Sequence, residues 1–217
     1  MGASPTVPNL DDYLSFLYGL VAIPRGVFPT FSGTATDGTA GTLVDANQGW
    51  QTNQWQNFTV LDRAQNARAF VTSSDATSLT FSAPLDVAVA AGDGYLLASP
   101  AFFESYDIAV AQVHPALAGT LLYTRAIYNL ATDRLINYAV DIQNQSYFAD
   151  QRKKFRLDEV SVGIVSATAN ETTSMSYMNP EQLKRLTVED LELMKTPWGR
   201  RYIGIAQKYG ETAYGLT

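Results

Sequence analysis

The sequence predicts an α+β protein in which a helical bundle carries an inserted small antiparallel β barrel or sandwich and, further along, a β-hairpin. Two changes of pattern indicate this class. Apolar residues recur at helical spacing near the N-terminus and after residue 99, whereas residues 30–98 are rich in Thr, Ser, Gly, Asp and Asn. That stretch contains only short alternating apolar runs, and closely spaced short strands favour a small barrel or sandwich.

These patterns divide the chain into three parts. Residues 1–29 are expected to contribute the N-terminal helix of the helical core, residues 30–98 the inserted β domain, and residues 99–217 the rest of the core. The last part also contains two β-prone runs around a polar stretch, which predict a hairpin over 160–178. A further helix and a short tail are expected at its C-terminal end.

The N-terminal helix is expected from about Leu10 to Ile23, because apolar residues recur there at helical spacing behind Asp11 and Asp12. Pro24 ends it. In the inserted region, alternating apolar runs between turn-forming stretches predict five strands, at Gly41–Asp45, Asn57–Asp62, Ala67–Thr72, Ser78–Ser82 and Gly94–Ala98.

Two helices are predicted after the inserted region. Ser99 is expected to cap the first, with Pro100 in its first turn, and Pro115 prevents its regular continuation. Its apolar face is expected to comprise Phe103, Tyr106, Val110 and Val113. The second helix begins near Leu117 and is expected to pack on one side only, through a stripe of Leu121, Leu122, Tyr128, Leu135 and Tyr138.

A basic cluster lies in the next predicted helix, within Tyr147–Leu157. It consists of Arg152, Lys153, Lys154 and Arg156. Four positive charges are compatible with nucleic-acid binding, but nearby acidic residues cancel much of their field. We therefore interpret the cluster as a solvated face or as a salt-bridge patch between subunits.

The C-terminal helices begin with recognisable caps. Thr187 and Asp190 have the spacing of a capping box, which predicts a short helix ending near Lys195. A last helix is expected over about Pro197–Lys208, and Gly210 closes it. Its aromatic and apolar residues at helical spacing are Trp198, Tyr202, Ile205 and Tyr209, with Arg200, Arg201 and Lys208 between them, and Tyr214 lies in the tail.

The composition limits the chemistry of the chain. At 217 residues, 46% hydrophobic and 17% charged, it is expected to fold, and its net charge of −6 argues against tight non-specific binding of nucleic acid. There is no cysteine, and the one histidine, His114, directly precedes Pro115, where it is expected to shape a helix end. We expect no cofactor, no zinc site and no enzymatic activity, since the sequence contains neither a nucleophile with its base nor a phosphate-binding glycine loop.

The sequence leaves one metal site open and predicts no membrane segment. A calcium site among Asp37, Asp45, Asp62 and Asp93 is conceivable, although the spacing of an EF-hand loop is missing. The N-terminus has no signal-peptide pattern and no run is long enough to span a bilayer, so we expect a soluble, non-secreted protein without a membrane partner.

Four stretches of the helical part resemble the head-to-tail adaptor, or neck, proteins of tailed bacteriophages. Together they cover roughly half of the chain, in the order found in such proteins, and they contain no catalytic motif. They are Tyr106–Leu117, Tyr123–Tyr138 (YTRAIYNLATDRLINY), Tyr147–Phe155 and Leu191–Gly210 (LELMKTPWGRRYIGIAQKYG).

The resemblance implies an adaptor core that forms a ring, usually of twelve copies, at the head–tail junction of a virion made in the host cytoplasm. Its partners would be the portal protein above and the tail or a second neck protein below, and DNA would pass through the lumen with transient, non-specific contact. Twelve copies at −6 each total −72, a charge that opposes adhesion of phosphate. The region 30–98 departs from compact helical adaptors, and we expect it to decorate the outside of the ring.

Nine residues are candidates for the interfaces of such a ring. The amphipathic C-terminal end is expected to dock onto the portal with Trp198 and Tyr202 as anchors, although both are equally expected to complete the core of the subunit. The predicted hairpin is a second candidate surface, through strand addition to a neighbour or as a lining of the channel. The candidates are Trp198, Arg200, Arg201, Tyr202, Tyr209, Tyr214, Arg152, Lys153 and Lys154.

Two other functions compete with the neck hypothesis. The first is a virion-associated carbohydrate-binding decoration module on a helical anchor, because Trp50, Trp55 and Phe58 lie among Asn and Gln residues and aromatic rings stack on sugars. The second is an unrecognised hydrolase that uses paired carboxylates. Loss of glycan binding on changing Trp50 or Trp55 would indicate the first, and loss of turnover on changing an aspartate the second.

Overall fold

The computed structural model describes residues 7–118, 120–159, 167–169, 174–176 and 187–209. The chain is of mixed helix and strand content, as the sequence predicts, and forms two compact units. A helical unit comprises residues 1–16, 105–141 and 146–217, and a β unit comprises residues 17–104 and 142–145.

Six α-helices occur in the described part of the chain. They are α1 (Leu10–Phe16), α2 (Pro100–Gln112), α3 (Leu121–Tyr138), α4 (Tyr147–Phe155), α5 (Val188–Leu193) and α6 (Pro197–Ala206). The predicted N-terminal helix is confirmed to Phe16, after which the chain continues as a π-helical segment over Leu17–Val21. The segments Pro115–Leu117 and Gln207–Tyr209 are 3₁₀ turns.

Seven antiparallel strands form the sheet of the β unit. They are β1 (Phe31–Thr34), β2 (Asp37–Gly38), β3 (Thr42–Val44), β4 (Thr59–Asp62), β5 (Ala67–Ser74), β6 (Ser78–Phe81) and β7 (Gly94–Ala98). Their order is β1-β7-β4-β5-β6-β3-β2, so the sheet begins and ends with the two strands that come first in the chain. The five predicted strands are confirmed, whereas β1 and β2 were not predicted.

The predicted small antiparallel β module is confirmed, whereas its closure into a barrel is wrong. No ladder pairs β1 with β2, so the single sheet is not closed into a barrel. The chain turns between these two strands, where the Ala35 amide donates to the Asp93 carbonyl and the Thr36 amide to the Val44 carbonyl. The ends of the sheet are therefore joined by the chain itself rather than by strand pairing.

The core of the β unit consists of aromatic and aliphatic side chains from the strands and from the loop between β3 and β4. Phe31 contacts the rings of Trp50, Trp55 and Tyr95 at centroid distances of 5.9, 6.0 and 6.0 Å. Several other members of this core are fully or almost fully buried, namely Leu43, Val60, Val71, Leu79 and Leu97. Alternation of such residues with polar ones is what made the strands readable in the sequence.

Aspartates fix the turns of the β unit. The Asp62 carboxylate accepts hydrogen bonds from the amides of Ala64 and Gln65 at 2.9 and 3.2 Å, and Asp93 accepts one from the Ala90 amide at 2.8 Å. Such bonds, in which an aspartate carboxylate accepts from backbone amides two or three residues away, stabilise tight turns. Asp62 and Asp93 therefore have a local structural role.

The helical unit is organised around α3, which packs against α4 and α6. Every residue of 126–133 is buried, so the prediction that this helix packs on one side only is wrong. Two predicted core residues are also placed differently, because Tyr138 at the end of α3 is 48% exposed and Val110 of α2 is 37% exposed. The buried face of α2 is completed by Phe102 and Ala109 instead.

The N-terminal helix α1 belongs to the helical unit. The buried Tyr13 ring lies 5.7 Å from the Tyr106 ring and 5.5 Å from the Tyr128 ring. The Tyr128 hydroxyl donates to the Asn9 carbonyl and accepts from the Asn9 amide, each at 3.1 Å. These contacts fix α1 on α3.

Helix α4 is connected to the end of α3 by two polar links. The Asp141 carboxylate accepts hydrogen bonds from the amides of Phe148 and Ala149, at 2.7 and 2.9 Å. The Arg152 guanidinium donates to the carbonyls of Ile136 and Ala139, at 3.1 and 2.8 Å. Both links satisfy backbone groups that helix ends leave unpaired.

The predicted hairpin is confirmed where it is described, since β8 (Ala167–Ala169) pairs antiparallel with β9 (Ser174–Ser176), and the rest of 160–178 lies outside the described residues.

The predicted side-chain cap of α2 is wrong. The Ser99 hydroxyl is buried without a hydrogen-bond partner among the described residues, and its carbonyl accepts from the Phe102 amide instead.

Candidate functional site

A cavity of about 230 Å³ opens on the helical unit where the end of α2, the middle of α3, α5 and α6 meet. Its innermost residues are Leu193 and Tyr202, which are buried, and Arg134, whose side chain is 14% exposed. The exposed residues at its mouth include Thr187 and Glu189. The complete lining is Gln112, Arg134, Thr187, Glu189, Asp190, Leu193 and Tyr202.

Arg134 is the cationic centre of this cavity. Its Nη2 atom donates to the Gln112 side-chain oxygen at 3.3 Å and forms an ion pair with the Glu189 carboxylate. Its Nε atom is shielded from solvent and has no acceptor within the described ranges. The guanidinium thus connects α2, α3 and α5, and its Nε donor has no partner among the residues described.

The mouth of the cavity is shaped by the capping box that the sequence predicts. The Thr187 hydroxyl accepts from the Asp190 amide at 3.2 Å, and Asp190 Oδ2 accepts from the Thr187 amide at 2.9 Å. Because this carboxylate oxygen caps α5, the role of Asp190 is to hold the helix start in place. That leaves Arg134 and Glu189 as the charged pair available for recognition.

A chain of buried hydrogen bonds joins α3 to the start of α6. The Thr196 hydroxyl accepts from the Gly199 amide at 2.9 Å and donates to the Asp133 carboxylate. Burial raises the pKa of Asp133 to about 6, although its bond to Thr196 and the nearby charge of Arg134 act in the opposite direction. A β-carbon at Gly199 would lie 2.0 Å from the Leu193 carbonyl oxygen, so this turn requires glycine.

The two predicted interface anchors are buried in the helical unit. Trp198 and Tyr202 are each only 8% exposed, and the Trp198 ring packs edge-on against Phe155 at 5.7 Å. Neither ring offers a large surface to a partner in this conformation. Their predicted role in assembly stays a prediction, whereas their contribution to the packing of α6 is direct.

The predicted basic interface residues differ in their surroundings. Lys153 and Lys154 are exposed on α4, whereas Arg152 is engaged with the end of α3. On α6, Arg201 and Arg200 are exposed, and Arg200 donates to the Met194 carbonyl at 3.2 Å. For Tyr209 only the backbone is described, and Tyr214 lies outside the described residues.

The aromatic residues proposed to stack on a sugar are not arranged as a platform. Trp50 is 8% exposed and Trp55 is 4% exposed, and both belong to the core of the β unit. A carbohydrate-binding platform needs an accessible ring face. The residues chosen for the glycan hypothesis therefore serve the packing of the β unit.

The side chains that could act as metal ligands do not form a cluster in the described part of the chain. Within the described ranges, no three His, Cys, Asp or Glu side chains come together as a metal site would require. Asp45 is instead bound to the Tyr95 hydroxyl inside the β unit, at 2.7 Å. His114 accepts from the Ala116 amide through Nδ1 at 3.1 Å and caps a 3₁₀ turn, as its predicted position at a helix end implies.

Comparisons of the chain with known protein families, with curated proteins and with solved structures give no match. None of the helices that the structure describes combines the length and the apolar character needed to cross a membrane. Among the described features, the cavity around Arg134 and the exposed cations of α4 and α6 offer groups that could bind a partner.

Proposed function

We propose that this chain is a structural subunit of the neck of a tailed bacteriophage, in which copies of it form a ring between the portal and the tail. The observation that carries the proposal is the order of elements in the helical unit. Each sequence stretch that resembles neck proteins coincides with a helix or a helix junction: the end of α2, then α3, α4, and the junction of α5 with α6.

The packing of these elements supports the proposal. In a ring subunit the surfaces on both sides must be fixed by a rigid body, since interfaces repeat around the ring. The buried helix α3 supplies such a body, because α4 and α6 both pack on it and their polar links are hydrogen-bonded. The cations Lys153, Lys154, Arg200 and Arg201 then lie on helices of defined position.

The charge distribution is suited to a conduit for DNA. The chain has a net charge of −6, and four of its exposed cations, Lys153, Lys154, Arg200 and Arg201, lie on two short helices. An acidic lumen would repel phosphate and let the genome slide, while basic side chains at the rim would serve contacts between proteins. The proposal would lose this support if the residues facing the lumen were mainly lysine and arginine.

A phage that lacks the chain tests the proposal. We expect heads and tails to be made but not joined, because the component between portal and tail would be missing. Electron micrographs of lysates should show separate heads and separate tails, and supplying the chain from a plasmid should restore complete particles. Intact, infectious particles without the chain would contradict the proposal.

A further inference from the structure

The cavity around Arg134 contains an ion pair whose two members have very different surroundings. The Arg134 side chain is 14% exposed, whereas the Glu189 side chain is 60% exposed. An exposed carboxylate is held only weakly by a salt bridge, because water competes for it. The Arg134 side chain has lost most of its hydration, so its guanidinium depends on a carboxylate partner. Glu189 remains largely hydrated, so its release from the ion pair costs little free energy.

Within the described part of the chain, Arg134 does not use all of its hydrogen-bond donors. Both of its described acceptors, Gln112 and Glu189, bind the same Nη2 atom, and Nε has none within the described ranges. Guanidinium groups pair most favourably with a carboxylate when two parallel N–H groups donate to its two oxygens. The present arrangement does not use the Nε–Nη2 edge in this way.

We propose that this cavity is a binding site for a carboxylate side chain of a protein partner, which displaces Glu189 and pairs with Arg134. Leu193 and Tyr202 provide an apolar floor for the methylene groups of an incoming Glu or Asp. Gln112 and Thr187 supply polar groups at the mouth. Glu189 occupies the site in the free protein and acts as an internal competitor.

A cationic ligand fits the cavity less well. Of its two acidic residues, Asp190 is engaged in the capping box and Glu189 is paired with Arg134. A cation entering the site would also face the positive charge of Arg134, which is largely desolvated. Among the residues that the structure describes, the Nε donor of Arg134 has no acceptor, and this favours an acceptor as the ligand.

The test is a titration of the full-length protein followed by NMR, with N-acetylglutamic acid N-methylamide as the probe. This compound carries one side-chain carboxylate, and the corresponding glutamine compound is the neutral control. We expect saturable shifts at the Arg134 side chain and at the amides of α5. The glutamine compound should give none.

The decisive variant is Glu189→Ala, because the proposal predicts that removing this residue strengthens binding. We expect the dissociation constant of the probe to fall about two- to fivefold, the range that corresponds to loss of an exposed salt bridge. Glu192→Ala is the matched control. Glu192 lies on the same helix but pairs with Lys195 and is not part of the cavity lining.

The arginine is tested by Arg134→Gln, which should abolish the shifts, with Arg125→Gln as control because Arg125 is exposed on the same helix. Amide spectra of each variant report whether it folds, and the Glu189→Ala comparison decides the question even if Arg134→Gln does not fold. Equal or weaker binding by Glu189→Ala, or equal strengthening by Glu192→Ala, would overturn the proposal. The site does not depend on the neck function, and failure of either leaves the other standing.

Discussion

The Asp133 carboxylate and the Thr196 hydroxyl are hydrogen-bonded inside the helical unit, 63 residues apart in the chain. Thr196 is fully buried, and its hydroxyl also caps α6 by accepting from the Gly199 amide. The same hydroxyl therefore pairs a backbone amide at the start of α6 and offsets part of the desolvation cost of the buried Asp133 carboxylate. The start of α6 is thereby tied to the centre of α3.

Replacing Thr196 by valine should destabilise the protein. Valine has a similar shape but removes both the cap and the donor to Asp133, so we expect the free energy of unfolding to fall by about 2–4 kcal/mol. Thr196→Ser keeps the hydroxyl and should cost less than half as much. Urea denaturation followed by circular dichroism measures both. Equal losses for the two variants would show that the hydroxyl is not what matters.

The stability of the protein should depend on pH through Asp133. Its pKa is raised to about 6 in the folded state, above the value of about 3.9 expected in the unfolded chain. The folded state therefore binds this proton more tightly, so the contribution of Asp133 to the free energy of unfolding rises as pH falls from about 7 towards 4. Above about pH 7 the contribution is constant.

The variant Asp133→Asn isolates this effect, because asparagine does not titrate and still accepts a hydrogen bond from Thr196. We expect the unfolding free energy of the parent to rise relative to that of the variant as pH is lowered from 7 to 4. Denaturation at several pH values measures it. A difference that stays constant over this range would contradict the assigned pKa.

In the β unit, Tyr95→Phe should destabilise the sheet. The Tyr95 hydroxyl donates to the buried Asp45 carboxylate, and burial together with this bond raises the pKa of Tyr95. Losing the donor leaves Asp45 with its bonds from Asn47 and Gln48 only, at a cost of about 1–3 kcal/mol. Tyr138→Phe is the matched control, since Tyr138 is half exposed. Similar melting of both variants would contradict this role.

Alanine substitutions should separate the core of α6 from its surface. Trp198→Ala removes a buried ring that packs on Phe155, and we expect about 3–5 kcal/mol of destabilisation in the isolated subunit. The double variant Arg200→Ala, Arg201→Ala should change the stability by no more than about 0.5 kcal/mol and still reduce incorporation into particles. Normal incorporation of the arginine variant would remove α6 from the assembly surface.

The sheet should be removable without loss of the helical fold. Phe31 and Leu97 are paired on β1 and β7, so the chain enters and leaves the sheet at neighbouring points about 5 Å apart. A short glycine–serine linker in place of residues 31–97 spans this gap, and we expect the product to retain the circular dichroism of α3–α6. An unfolded product would show that the helices require the sheet.

Much of the β unit could be predicted because its signals are local. Alternation and turn residues located five strands within two residues of their observed ends. The strands β1 and β2 were missed since they are short and contain glycine or aspartate, residues depleted in strands. Whether the sheet closes into a barrel depends on which strands pair, and pairing between distant strands cannot be predicted from any single segment.

The candidate site was readable only in part, for the same reason. The caps at Thr187 and Thr196 follow local rules, and both are present. The pairing of Arg134 with Glu189 joins residues 55 positions apart, and no local pattern distinguishes it from a solvated charge. Helical spacing also assigned Tyr138 to the core, because periodicity identifies a face of a helix but not how far along the helix that face is covered.

The most direct test of the neck assignment is a reconstruction, by electron cryomicroscopy, of the head–tail junction of particles that contain this chain. We expect a ring of its copies directly below the portal, with α3 inside each subunit and the exposed arginines of α6 at a protein interface. Absence of the chain from the junction, or its presence as isolated monomers elsewhere on the particle, would contradict the neck assignment.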